Sequence, residues 1–267
     1  RSLVGDGNNV VVGGFGNDTI ITGIGADVVL GDNGQLQYSA AGGVAVLTAA
    51  QTTDVTGATG GGDVIVGGGG TAGDVILAGV GADLVTTVAS TSTLLTGAVV
   101  AGDTWTLDLV AAGVTTTFSY VAVTGDTLAD VAAGLAAAIN AVTSDDYVAA
   151  VDADTLVVIN QSGASFTATY AQVPVAGPAV LVASTTAVGS TSSGNDVVVG
   201  DNGYATWDTT GLITAFGSTQ LPYDPLVTDL GGNDVVYAGG GNNVVVGGFG
   251  DDTIVAGTGA DVILGDN

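Results

Sequence analysis

The sequence predicts a mainly β fold, in which a repetitive spine of short strands is interrupted by hairpins and by one inserted α+β module. Three observations predict it. Residues 8–33 (NNVVVGGFGNDTIITGIGADVVLGDN) recur as residues 242–267 with 5 conservative differences in 26 positions, at an offset of 234 residues. Inside each copy a nine-residue period sets Asn9, Asp18 and Asp27, and again Asn243, Asp252 and Asp261, each followed by three mostly β-branched residues and a glycine. Two nested fixed periods are the mark of a repeat architecture, in which each unit buries its apolar face only against its neighbours. Between the periodic blocks, alternation and β-branching predict further strands, with one helical window among them.

In chain order, residues 1–34 form a first nonapeptide segment ending in GDNG. Residues 35–57 leave the period as a hairpin, QLQY and VAVLT turning at Ala41-Gly42-Gly43. The period returns over 58–86 with Asp63, Asp74 and Asp83. Residues 87–190 carry no nonapeptides. WTLDLV, TTFSYV, YVAAV, TLVVI and SFTATY read as strands. A helix is expected at about 127–140, where Thr127 caps with Asp130 three residues on and Leu128, Val131, Leu135 and Ile139 share a face. Residues 191–203 resume the period and again end in GDNG. Residues 204–228 form a second hairpin around Thr210-Gly211, with Pro222 and Pro225 on the way back, and 229–267 close the chain as the copy of its start.

Composition excludes many functions. All 26 acidic residues are Asp, the one basic residue is Arg1, and the formal net charge is −25. A solvated acidic surface would draw on both carboxylates; Asp alone points to a short side chain required beside the backbone, in turns or oxygen-ligand loops. Such a chain repels nucleic acid and anionic membranes, and it opposes its own compaction unless cations bind. Its 46 % apolar content argues against disorder. No apolar run is long enough for a membrane-spanning helix. Without His, Cys, Glu or Lys, a catalytic triad, a zinc helix and a lysine nucleophile are all excluded, and no enzyme is expected. Asp145-Asp146 and Asp251-Asp252 read as loop residues or ligands, and Trp105 and Trp207 as packing residues rather than sugar platforms.

The unit GGFGNDTII (13–21) fits the pattern G-G-x-G-x-D-x-U-x in full, and GTGADVIL fits it nearly. The chain thereby resembles the calcium-binding nonapeptide repeats of RTX proteins, which implies a parallel β-roll with two nonapeptides per turn and Ca2+ held between stacked bends. The resemblance also implies the ligands: Asp18, Asp27, Asp63, Asp74, Asp83, Asp196, Asp234, Asp252 and Asp261. Asn9 and Asn243 hold the same slot with a neutral oxygen, which weakens those sites or leaves them empty. Asp32 and Asp201, in the GDNG corners, are either further ligands or turn residues opening each hairpin. A metal-free parallel β-helix, with the aspartates serving as turn chemistry, is the competing reading.

In RTX repeats only the U position is strongly apolar, yet here its flanks are apolar as well: Val10 and Val12, Val28 and Leu30, Val64 and Val66, Val75 and Leu77. Strands apolar on both faces are covered on both faces, so hairpins, insert or another chain must lie over them. The partial second copy and an opening without Met or signal-like segment predict a piece of a longer repetitive polypeptide. The expected function is structural: a repeat unit of a secreted, calcium-stabilised extracellular fibre or cell-surface filament, with adjacent copies of itself as partners. The alternative is a surface-layer or adhesin stalk whose 87–190 module binds a glycan or protein.

Overall fold

A computed structural model describes the chain except residues 42, 55–58, 69, 143–145, 163, 176–179, 182–184, 189–192, 220–230 and 267. Pro222 and Pro225, and Asp145 of the Asp145-Asp146 pair, lie outside the described residues. The chain divides into two compact units, one of residues Arg1–Thr87 with Ser192–Asn267 and one of Val88–Thr191.

The first unit is the spine. Its short strands are shared alternately between two six-stranded parallel sheets. The first sheet runs Ser2–Leu3, Thr19–Ile21, Val64–Val66, Leu84–Thr86, Val235–Gly239, Thr253–Ala256. The second runs Val10–Val12, Val28–Leu30, Val75–Leu77, Val197–Val199, Val244–Gly248, Val262–Asp266. Each nonapeptide thus supplies one strand and one bend, and two of them complete a turn. Pairing is in register from rung to rung, as in Val10↔Val28, Val28↔Val75, Val75↔Val197 and Val197↔Val244. The central residue of each strand points between the sheets, where Ile20, Val29, Ile65, Ile76, Val85, Val198, Val236 and Val245 are all fully buried. β-Branched side chains suit this file because they fill a pleated surface from few rotamers.

The interruptions leave the winding in phase. Each hairpin departs after a strand of the second sheet and returns as a strand of the first, so it stands in for one bend. The 88–191 unit departs after Leu84–Thr86 and returns at Val197–Val199, standing in for a bend of the other kind.

The two hairpins, about 150 residues apart, are halves of one structure. Gly34–Ala41 and Val44–Thr52 pair antiparallel, as do Gly203–Trp207 and Ile213–Ser218. Tyr204↔Gln51 and Ala205↔Ala50 then join them into a single four-stranded sheet. Its Ala50, Ala205, Leu36, Trp207, Ile213 and Phe216 pack on Leu30, Val75, Leu77, Val197, Val199 and Val246 of the second spine sheet. Here is the cover that the apolar flanks demand. On the first sheet the flanking residues Ile21, Val66 and Tyr237 are buried as well.

The 88–191 unit holds two antiparallel four-stranded sheets and the helix. One sheet has the order Tyr147–Asp152, Thr155–Asn160, Ser90–Leu94, Thr185–Val188; the other Val114–Val121, Thr104–Ala111, Thr167–Val173, Val180–Leu181. The helix spans Leu128–Asn140 and buries Val131, Ala132, Leu135, Ala136 and Ile139. Thr127 caps it in a capping box with Asp130, so that two of the free N-terminal donors are satisfied reciprocally. Replacing Thr127 by Ala is expected to cost about 1 kcal/mol, read as a lower midpoint when this unit is melted. Trp105 is 1 % exposed in the core with Leu107, Phe118, Leu135 and Tyr170, and Trp207 packs on the spine. Both tryptophans therefore serve packing. Among the described residues no helix is long and apolar enough to cross a membrane.

Candidate metal centre: two aspartate ladders

Because every bend is the same nonapeptide arc, its sixth residue falls above the sixth residue of the bend below. The result is two ladders, one along each side of the spine. In the first, the backbone N–H of Asp18 donates to Oδ1 of Asp63 (2.8 Å), Asp63 to Asp83 (2.7 Å), Asp83 to Asp234 (2.9 Å) and Asp234 to Asp252 (3.0 Å). In the second, Asn9 donates to Asp27 (2.8 Å), Asp27 to Asp74 (2.9 Å), Asp74 to Asp196 (2.9 Å), Asp196 to Asn243 (3.0 Å) and Asn243 to Asp261 (2.9 Å). All nine aspartates assigned through the nonapeptide pattern stand in these ladders, together with both asparagines.

Six of the ladder carboxylates are half used. Oδ1 accepts the neighbouring N–H, while Oδ2 of Asp27, Asp63, Asp74, Asp83, Asp234 and Asp252 is buried without a partner. Asp27, Asp63, Asp74, Asp83, Asp196 and Asp234 are at most 2 % exposed. An unpaired buried carboxylate oxygen is costly, and burial drives Asp63, Asp74, Asp83 and Asp234 toward the neutral form. Desolvation raises Asp63 and Asp74 to about 8 and Asp234 to about 7, against the backbone N–H bonds that lower them. Asp83 is pushed well up by burial, with Asp234 and Asp63 adding like-charge repulsion. The single ion pair among the described residues joins the N-terminal ammonium to Asp18, the first rung, at 3.6 Å, and no other rung among them is paired with a cation.

The surroundings suit a hard cation. A Cβ on Gly31 would collide with Oδ2 of Asp63 and with the carbonyl oxygen of Ala78. One on Gly200 would collide likewise with Oδ2 of Asp234 and the carbonyl of Gly247. Glycine is what allows carboxylate and carbonyl oxygens to converge there. The asparagine rung reveals what the oxygens want. Nδ2 of Asn9 donates to the carbonyls of Gly5 and Gly7, both at 2.8 Å, and to Oδ1 of Asp27 at 3.0 Å. In the second copy, Nδ2 of Asn243 donates to Gly239. An amide donor thus stands among three oxygens where an Asp rung offers only a further oxygen, and a cation does the same work. No group of three carboxylates converges among the described residues, so a bound ion would have to draw on carboxylates of successive rungs and on bend carbonyls. Gly31→Ala is expected to force the rung apart and weaken ion binding at Asp63, seen as a raised calcium midpoint for folding in a titration followed by circular dichroism.

The GDNG corners are a different device. Asp32 and Asp201 are both 0 % exposed. Oδ2 of Asp32 accepts the N–H of Val80 at 2.5 Å, and Oδ2 of Asp201 accepts that of Phe249 while its Oδ1 accepts Gly232 at 3.1 Å. Burial raises Asp32 to about 7 and Asp201 to about 8. Each corner ties the root of a hairpin to a neighbouring bend. Oδ1 of Asp32 remains without a partner. Asn33 donates to Asp54 through both its backbone N–H and its side chain, and Asn202 donates to the carbonyl of Asp54. Asp54 stands nine residues before Asp63, but it is preceded by Thr52-Thr53 instead of the glycines of a nonapeptide bend, so the motif does not mark it.

A family model described as the RTX calcium-binding nonapeptide repeat (four copies) matches residues 4–35 and 228–263. These segments are RTX repeats. RTX repeats bind Ca2+, and the half-used, glycine-cradled carboxylates described above fit that ion, whose shell takes roughly 6–8 oxygens. The RTX match covers the two ends of the spine, and the two ladders run through it from one end to the other. No curated protein and no solved structure matches the chain. The metal supplies the positive charge that the Asp-only RTX bends lack; the residues that would hold it are the ladder aspartates and the glycine-rich carbonyls.

Proposed function

We propose that the chain is a structural repeat unit of a secreted, calcium-stabilised extracellular fibre or cell-surface filament, with the nine ladder aspartates as ligands and Asp32 and Asp201 as auxiliary ligands at the hairpin corners. One observation carries the reading: the same coil occurs in two settings. Val29 and Leu30 are 0 % exposed beneath Val75–Leu77, whereas their duplicates Ile263 and Leu264, 234 residues on, are each 49 % exposed. The same coil, with 5 conservative differences in 26 positions, recurs at a 234-residue offset within one continuous spine, as a unit repeated in series would place it.

The setting supports an extracellular role, because calcium is plentiful there and RTX repeats are typical of secreted proteins. The residue set supports a scaffold rather than an enzyme, since His, Cys, Glu and Lys are all lacking. Calcium neutralises the stacked carboxylates and locks the winding, and further copies of the unit extend it. Four rungs separate Val28–Leu30 from its duplicate, so each unit adds about 19 Å of axial length at the usual strand spacing. Chains of one, two and three units, imaged by electron microscopy in calcium, are expected to give rods lengthening by that step. Dispersed globular particles whatever the number of units would overturn the reading.

A further inference from the structure

We propose that successive units join through the hairpin sheet as well as through the spine: Ile213–Ser218 of one unit pairs antiparallel with Gly34–Ala41 of the next. The inference rests on the tandem reading above and concerns a different surface.

Spacing is the first argument. From Val28–Leu30 to its duplicate the second sheet advances four rungs, and from Thr19–Ile21 to its duplicate the first sheet also advances four. The hairpin sheet contains four strands. Strand spacing is nearly the same in parallel and antiparallel sheets, 4.7–4.9 Å, so a unit of the cover advances by about 19 Å, as the spine does. The two structures are commensurate, and the cover of one unit ends where that of the next begins.

Direction and register agree. Gly34–Ala41 and Gly203–Trp207 both start at a GDNG corner, and strand direction alternates across the sheet, so a further Gly34–Ala41 strand continues the alternation. Thr52 pairs with Gly34 on one side and exchanges hydrogen bonds with Gly203 on the other, Thr52 Oγ1 accepting the Gly203 N–H at 2.8 Å. Gly203 pairs in turn with Ser218. The same step places Ser218 against Gly34 of the next unit, Phe216 against Leu36 and Ala215 against Gln37. Leu36, Ala50, Ala205 and Phe216 already form one row across the sheet, all packed on the spine. Apposing Phe216 and Leu36 closes that row from unit to unit.

The edges themselves point the same way. Exposed strand edges are normally blunted by charge or proline. GQLQYSAA and ITAFGS contain neither. Two uncharged strands at opposite ends of one sheet, with matched register and no further strand paired to them among the described residues, suit each other.

The absence of cysteine allows a direct test. In a two-unit chain, residues 1–267 followed by a second copy of 34–267, Ala215→Cys is placed in the first unit and Gln37→Cys in the second. Oxidation in calcium is expected to give one intramolecular disulfide, read by mass and gel mobility. The same two substitutions within one unit serve as control: they lie three strand spacings apart, about 14 Å, beyond the reach of a disulfide. Bridging of the inter-unit pair alone supports the proposal. A two-unit chain that lengthens by the axial step without bridging overturns the edge pairing and leaves the spine reading standing. A chain that neither lengthens nor bridges overturns both.

Discussion

At pH 8.5 with a chelator present, the spine is expected to lose its β signal and its compactness; at pH 5 with the same chelator it is expected to keep both. The reason lies in the six acids whose pKa burial raises: Asp32, Asp63, Asp74, Asp83, Asp201 and Asp234. Their folded pKa lies above the unfolded value of 3.8, reaching about 7 for Asp32 and Asp234 and about 8 for Asp63, Asp74 and Asp201. Their contribution to stability is therefore intact below about pH 4, declines as pH rises, and is lost once pH passes the folded value. Ionising one such group in place costs on the order of a few kcal/mol even after allowance for solvent screening. Six together rival the 5–15 kcal/mol that holds a typical domain. Calcium reverses the sign: at pH 8.5 its addition should restore the fold, and its affinity should weaken as protons compete below about pH 7. Circular dichroism and small-angle scattering across this grid of pH and calcium decide the matter. A spine that stays folded in chelator at pH 8.5 would overturn the role given to the metal.

Replacing Asp74 by Asn is expected to act in two opposite directions. The variant should bind fewer calcium ions, yet its chelated form at pH 8 should be more stable than the parent by a few kcal/mol. Asn9 supplies the precedent, because its amide donates into the bend carbonyls that an Asp rung leaves facing an unpaired oxygen. The gain should shrink toward pH 5, where Asp74 is neutral in the fold. Asp108→Asn is the control; that residue is bonded to Thr117 within the other unit, and its replacement should leave both readouts unchanged. Isothermal titration and melting in chelator provide the measurements. Loss of stability in chelated Asp74→Asn would remove the assigned place of the ion.

The nine-residue period made the ladders legible, since a fixed spacing on a fixed arc places equivalent side chains in line. What it could not give was their connectivity. Asp74 stands beside Asp196, 122 positions on, and Asp83 beside Asp234, 151 positions on, because insertions of any length can replace a bend without disturbing the winding. The apolar flanks of Val75 and Leu77 called for a cover, but nothing local in either hairpin indicates that Tyr204 pairs with Gln51. Strand Ser90–Leu94 was invisible for another reason: STSTL presents hydroxyls where an alternating apolar pattern is sought, although four of its five residues are buried. The helix at 128–140 was readable at both levels, by its cap and by its spacing.

The pairing of the two hairpins also has a consequence for assembly. Gln51 and Tyr204 are separated by about 150 residues, and closing a loop of that length before any local structure forms costs entropy that a single strand pair does not return. Winding the rungs between them converts that long loop into a few strand spacings. The spine is therefore the ruler against which the cover is cut, and the two hairpins are expected to join once Val75–Leu77 and Val197–Val199 have paired beneath them.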